Sequence, residues 1–238
     1  MKLLVTAGNT QTPIDRVRCI TNIFTGRTGA AIATEARRRG HAVLLLTSHP
    51  ETVDAPAGIE RIVYRSFDDL SSQLAHHIVG GELDAVIHSA AVSDFSVDGV
   101  YAPAPGTSFE PARATWHGDP PRLVDRVAEK VKSDAAELWL RLLPTPKLVD
   151  RVRQDWGFRG ILVKFKLEVD ISEDELLAVA EKSRQHSDAD WMVANTLEGA
   201  AHWVYLGSAL GYDRIARRDL PGRLLDAIEA QQREGRHG

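Results

Sequence analysis

Five short apolar runs constrain this chain more than any other feature. Leu3–Thr6, Ala42–Leu46 and Ala85–Ser89 are continuous rather than alternating, and Ile161–Phe165 and Trp191–Ala194 are similar, with Lys164 interrupting the fourth. A strand without alternation is one buried on both faces, as in a parallel sheet covered by helices. Helical spacing fills the gaps. Gly29–Arg39 is Ala-rich and stops at Gly40, a usual helix terminator; Phe67–Val79 sets Leu70, Leu74 and Ile78 four apart. Ser172 and Glu175 stand in capping-box register before Leu176, Leu177, Val179 and Ala180. This alternation predicts an α/β fold, a doubly wound and mostly parallel Rossmann-like sheet with right-handed crossovers.

Two stretches break the pattern. Residues 96–121 hold Pro103, Pro105, Pro111, Pro120 and Pro121 and keep no period, which predicts a flexible flap over 96–132, either disordered or a lid. Segments 137–143 and 202–206 read as further strands, forming a small antiparallel extension. The expectation is a single domain over 1–230 and a frayed, disordered tail over 231–238.

Composition narrows the class. With 238 residues, the chain can bury a full core. A net charge of -4 argues against a nucleic-acid partner held by bulk charge. Cys19 is the single cysteine, so no intrachain disulfide forms, in keeping with a reducing compartment. No apolar run approaches the ~18 residues of a membrane span, and Gly8 arrives too early for a signal-peptide core. A cytoplasmic enzyme without a membrane partner is the expectation.

Chemistry concentrates where strands end. The first strand runs into Gly8-Asn9-Thr10, and Thr25-Gly26-Arg27-Thr28-Gly29 precedes the first helix. Small residues there let phosphates approach the backbone, and a helix start favours an anion; a tight turn is the plainer reading. Ala90, Ala91 and Asp94 follow the third strand, where Asp94 either helps hold a phosphate-bound Mg²⁺ or only closes a turn. Lys130 and Lys132 flank the end of the flap, and Lys166 ends an apolar strand; each suits phosphate charge, against the plainer reading of Lys130 and Lys132 as a solvated helix face. His76 and His77 are helix neighbours facing different ways, and His88 reads as a satisfied core histidine. No zincin, C-x-x-C, Walker or G-x-S-x-G pattern occurs.

These blocks, in order, resemble the phosphopantothenoylcysteine synthetase (phosphopantothenate–cysteine ligase) family. The resemblance rests on Val5–Thr10, Pro13-Ile14-Asp15, Val17-Arg18, Ile20-Thr21-Asn22, Thr25-Gly26 and Gly29. It continues in Ala90–Phe95, Lys130-Val131-Lys132, Thr145-Pro146-Lys147, Phe165-Lys166-Leu167 and Val193-Ala194-Asn195. It implies a ligase that activates 4′-phosphopantothenate with a nucleoside triphosphate and joins it to cysteine through an acyl-nucleotidylate. By the same resemblance, Asn22 contacts the activated acyl group. Lys130, or Lys132 beside it, belongs to a flap over the triphosphate. Gly8, Ala90, Ala91, Asp94, Phe165, Lys166 and Asn195 bind the nucleotide, with Asp94 near the Mg²⁺. Asn9, Thr10, Gly26 and Gly29 form the phosphopantothenate and phosphate loops. A homodimer follows from the resemblance, as does a stand-alone ligase without flavin, since the chain starts at the synthetase strand.

The chain departs from the family pattern in places. Asn9 replaces a common second glycine, Ile23-Phe24-Thr25 a small polar run, Lys164 a frequent glycine and Thr196 a frequent aspartate. The mixture leaves CTP or ATP open, with CTP favoured. Two rivals share the fold: an NAD(P)-type Rossmann oxidoreductase and a non-catalytic nucleotide-binding paralogue. The first lacks both the tighter glycine fingerprint and an acid after Leu46, where Thr47-Ser48-His49 stands.

Overall fold

The computed structural model describes residues 1–52, 58–127, 130–132 and 135–235. In chain order the elements begin β1 (Lys2–Ala7), β2 (Gln11–Pro13), β3 (Cys19–Thr21), α1 (Arg27–Arg38), β4 (Ala42–Thr47) and β5 (Ile59–Val63). Next come α2 (Phe67–Val79), β6 (Ala85–His88), β7 (Phe95–Pro103), β8 (Ser108–Glu110), β9 (Thr115–His117), β10 (Leu123–Asp125) and β11 (Trp139–Pro144). The chain continues with α3 (Leu148–Gln154), β12 (Ile161–Glu168), α4 (Glu173–His186) and β13 (Trp191–Thr196), and ends with β14 (Trp203–Ser208), β15 (Gly211–Ala216) and α5 (Leu220–Gly235). They form two compact units where the sequence reads as one domain. The first holds residues 1–10, 23–92 and 147–238, the second 11–22 and 93–146.

The first unit carries an eight-stranded sheet in the order β15-β14-β13-β12-β6-β1-β4-β5. Strands β5, β4, β1, β6, β12 and β13 pair in parallel, while β14 and β15 add an antiparallel edge. The chain starts at β1, runs outward through β4 and β5, then returns to the other side of β1 at β6. That reversal is the topological switch point of a doubly wound sheet.

Strand alternation sorts the apolar runs into two cores. Leu3, Val5, Val43, Leu45, Ile87 and Val163 face α1 and α5; Leu4, Leu44, Leu46, Val86 and Leu162 face α2 and α3. Helix α4 closes a third cluster through Leu176 and Ala180 against Met192 and Ala194. The predicted capping box is present, with Ser172 accepting from the Glu175 amide, and a second one not foreseen from the sequence has Ser66 accepting from the Asp69 amide at the start of α2.

The second unit corrects the expectation of an unstructured flap. Strand β7 pairs antiparallel with both β10 and β11, β8 pairs with β9, and β2 with β3. Phe109, Trp116 and Trp139 pack ring to ring with centroids 4.6–5.2 Å apart. The two strands expected to form one extension therefore part company: 139–144 joins this small sheet, whereas 203–208 extends the large one. The tail is corrected too. Helix α5 continues to Gly235, anchored by the buried Leu220, Leu224, Leu225 and Ile228, and 236–238 lie outside the described residues.

Candidate active site

In the first unit the switch point opens between the carboxyl ends of β1 and β6. Beyond β1, the Gly8 carbonyl accepts from the Ala91 amide at 2.8 Å, and the Thr10 amide donates to the Ala91 carbonyl at 3.4 Å. The two loops thus run side by side and carry Gly8, Asn9, Thr10, Ala90 and Ala91 together. Asn9 is buried, and its place is set by Ser48, whose Oγ accepts from the Asn9 amide at 2.8 Å and donates to Asn9 Oδ1 at 3.3 Å. The residue that departs from a glycine thereby gains a fixed partner at the end of β4.

The glycines of the second loop are required by packing. Gly26 has φ +82° as the residue before α1, and a Cβ there would lie 2.2 Å from the Gly8 backbone nitrogen. A Cβ on Gly29 would meet Ser89 Oγ at 2.6 Å and the Ala7 Cβ at 2.8 Å. Backbone therefore packs on backbone, and the first turn of α1 sits directly over the end of β1. Such a start presents amide N–H groups and the positive end of the helix dipole.

Phe165 and Asn195 lie on adjacent strands and on the α1 side of the sheet, since β12 and β13 pair Phe165 with Val193 and Leu167 with Asn195. Asn195 is buried, donating from Nδ2 to the Thr196 carbonyl at 3.2 Å. Lys166 faces the other way by strand alternation and pairs through Nζ with Glu168 Oε1 at 2.7 Å. The Phe-Lys pair is thus divided between the two faces.

That second face holds a polar network that sequence reading left out. Thr6 Oγ1 accepts from the Ala90 amide at 3.0 Å and lies 3.2 Å from His88 Nδ1. Burial, with the Lys164 ammonium adjoining, pulls the His88 pKa down to about 4, so the ring is neutral with Nδ1 in hydrogen-bond contact with the Thr6 hydroxyl. Lys164 pairs with His88 across the sheet, donates to Ser187 Oγ and the Ser183 carbonyl, and lies 3.7 Å from Asp150 Oδ1. Desolvation lowers its pKa against the pull of Asp150. The lysine that interrupts an apolar run is the signal for this network.

The second unit contains Asn22, Asp94, Lys130 and Lys132. Asn22 follows β3 directly. Asp94 is exposed; its carbonyl accepts from the Thr145 amide at 2.9 Å, while Thr145 Oγ1 donates to the Ser93 carbonyl at 2.6 Å. The Thr145-Pro146-Lys147 block thereby braces the Ser93-Asp94 turn. Lys130 and Lys132 are exposed on either side of the buried Val131. His76 and His77 have their rings edge to face at 4.8 Å, closer than the sequence reading implied, yet no group of three His, Cys, Asp or Glu side chains suited to a metal occurs among the described residues.

Known proteins resemble this chain in sequence and fold. Residues 1–102 match the family model of the DNA/pantothenate metabolism flavoprotein C-terminal domain. The chain is 33% identical over 238 residues to the coenzyme A biosynthesis bifunctional protein CoaBC of Thermococcus kodakarensis, an alignment covering 96% of this chain and 51% of that protein. A solved DNA/pantothenate metabolism flavoprotein from Streptococcus pneumoniae matches with a TM-score of 0.77 at 26% identity, covering 97% of this chain and 99% of the other. These matches agree with the resemblance to the phosphopantothenoylcysteine synthetase family. The chain spans about half the length of the Thermococcus relative. A Cab2 mutant in complex with phosphopantothenate-cysteine shares the fold, with a TM-score of 0.69 at 18% identity over 98% of this chain and 86% of that one. Among the described residues no helix is long and apolar enough to cross a membrane.

Proposed function

We propose that this chain joins 4′-phosphopantothenate to cysteine in coenzyme A biosynthesis, through an acyl-nucleotidylate. The observation that carries the reading is the switch-point crevice, where Gly8, Gly26 and Gly29 bring backbone amides and a helix start to the loops of β1 and β6. In this reading Gly26, Gly29, Asn9 and Thr10 face phosphate groups, and Ala90 and Ala91 leave room for the base. Phe165 and Asn195 contact the nucleotide, with Lys166 balancing charge from its own face of the sheet.

A free carboxylate is a poor acyl donor. Its oxygen attacks the α-phosphorus of the triphosphate, pyrophosphate leaves, and the carboxyl becomes a mixed anhydride. The cysteine amine then attacks the acyl carbon and loses a proton as the nucleoside monophosphate departs. Lys130, or Lys132 beside it, neutralises the triphosphate as its charge shifts to the leaving group. Asn22 donates its amide N–H to the acyl oxygen without adding a charge. Asp94 is a single exposed carboxylate, which suits Mg²⁺ held mainly by the phosphates and not by a protein cage. When bound, the ion offsets phosphate charge. We take the enzyme to be cytoplasmic, homodimeric and free of flavin, with CTP favoured over ATP.

The oxidoreductase alternative expects a carboxylate after β4 to grip a ribose. Ser48 stands there and is engaged with Asn9, which favours the ligase. The test is pyrophosphate release from purified protein with 4′-phosphopantothenate, cysteine, Mg²⁺ and either CTP or ATP. The reading predicts a cysteine-containing amide product; its absence with both nucleotides refutes the ligase.

A further inference from the structure

Val131, between the two exposed lysines, has its side chain buried and both polar groups of its backbone taken by distant side chains. Its N–H donates to Asp15 Oδ2 at 3.1 Å, and its carbonyl accepts from Arg18 Nη2 at 2.8 Å. Asp15 does more than meet Val131. Its Oδ1 accepts from the Val17 and Arg18 amides at 2.8 and 2.7 Å, closing the turn between β2 and β3. Its Oδ2 also accepts from Arg18 Nε at 3.1 Å and Nη2 at 2.6 Å. The Asp15 side chain is fully enclosed by these donors. Arg18 foremost, then the Val17 amide, holds its carboxyl well below the ordinary carboxylate range, so it is an anion at any working pH. One carboxylate oxygen and one guanidinium nitrogen therefore clasp the Val131 peptide from both sides through charge-assisted bonds.

The consequence follows from chain geometry. Neighbouring side chains diverge along a backbone, so with Val131 inserted inward, Lys130 and Lys132 project outward. A lysine is a flexible point charge, and the position of its backbone anchor decides which phosphate oxygen it can reach. We propose that Asp15 is a positioning residue for these lysines, gripping the Val131 peptide so that they meet the nucleotide phosphates from one fixed anchor. The proposal rests on the ligase reading for the part the lysines play, and extends it to a residue that touches no substrate.

Asp15→Asn is the discriminating variant. The retained oxygen still accepts from Val17 and Arg18, so the turn keeps its closure, but the new amide donates and has no acceptor to offer the Val131 N–H. The amide also gives up both Arg18 contacts of Oδ2, so the melting temperature falls while circular dichroism keeps its native shape, and the Val131 amide exchanges with solvent at least about tenfold faster by NMR. Single-turnover pyrophosphate release without cysteine slows by about tenfold or more as the lysines lose their fixed anchor. A merely structural residue would slow the reaction independently of the lysines. A positioning residue instead gives a double variant, Asp15→Asn with Lys130→Gln or with Lys132→Gln, that is no slower than the more damaging lysine variant alone. If Asp15→Asn fails to fold, Val131→Ala loosens the same anchor and is expected to slow pyrophosphate release in the same way. Unchanged Val131 exchange, or effects that multiply with both lysine variants, overturns the proposal. If wild-type protein releases no pyrophosphate with CTP or ATP, the ligase reading fails and the role for the lysines with it; Val131 exchange still decides separately whether Asp15 holds the segment.

Discussion

Lowering the pH from 7 to 4 tests the buried polar network directly. His88 is 7% exposed, lies beside Lys164 and has no room to hydrate a second charge. Its pKa falls from 6.5 to about 4, chiefly through desolvation and then through Lys164, with Asp150 opposing. Between those two values the unfolded chain binds a proton that the native protein does not. Stability therefore rises with pH across this window; it is complete above 6.5 and is lost as the pH falls towards 4. At 1.36 kcal/mol for each pH unit, the loss attributable to His88 is about 3 kcal/mol, a large part of a domain's total stability. The control is His88→Asn, whose amide can hydrogen-bond the Thr6 hydroxyl in place of Nδ1 but does not titrate. Urea unfolding of both proteins from pH 4 to 7.5 gives the difference curve. Glu35 and Glu181, each held near 2 chiefly by an arginine, lose their own contributions as the pH falls through the acid range, but they are common to both proteins and cancel. Wild type should weaken relative to the variant by about 3 kcal/mol on acidification, in proportion to the pKa drop. Parallel curves would refute the argument and mean that His88 is protonated in the native protein.

Other substitutions probe separate links. Gly26→Ala places a methyl 2.2 Å from the Gly8 nitrogen at φ +82°, and should cost about 2–3 kcal/mol in urea unfolding and weaken nucleotide binding, measured by calorimetry. Lys164→Met leaves Asp150 without its buried ammonium and should destabilise by about 3 kcal/mol in the same unfolding assay. Asn22→Asp should still permit carboxylate activation but impair amide formation, so trapped acyl-nucleotidylate accumulates in mass spectra; normal turnover would remove the role given to Asn22.

The parallel strands were legible because burial on both faces leaves no alternation to mistake: Leu3, Leu4 and Val5 are all fully buried, although they serve different cores. The first helix and both glycine loops followed, since Gly26 and Gly29 mark the close approach of α1 to β1. The insert was not legible. Strand β7 pairs with β11 some forty residues away, and β8 and β9 are three residues each, so their order comes from non-local pairing that no local period records. Helix α5 has a local signal, since Leu220, Leu224, Leu225 and Ile228 are helically spaced and Pro221 suits a first turn, but the polar Gln231–Gly238 gives the segment the composition of a frayed end. Of the candidate site, small residues at strand ends were readable from their type. The partition of Phe165 and Lys166 onto opposite faces, and the network from Thr6 through His88 to the neighbouring Lys164, needed strand register. In sequence Lys164 only interrupts an apolar run, whereas its pairing with Asp150 and Ser187 shows why a charge is kept there.

The most direct test of the central claim is the complete reaction followed at the product. Protein is incubated with 4′-phosphopantothenate, cysteine, Mg²⁺ and CTP or ATP, and the mixture is resolved by mass spectrometry alongside pyrophosphate release. The account predicts 4′-phosphopantothenoylcysteine and one pyrophosphate for each amide formed, with no amide when cysteine is withheld. Intact substrates with both nucleotides, from folded protein, would contradict it.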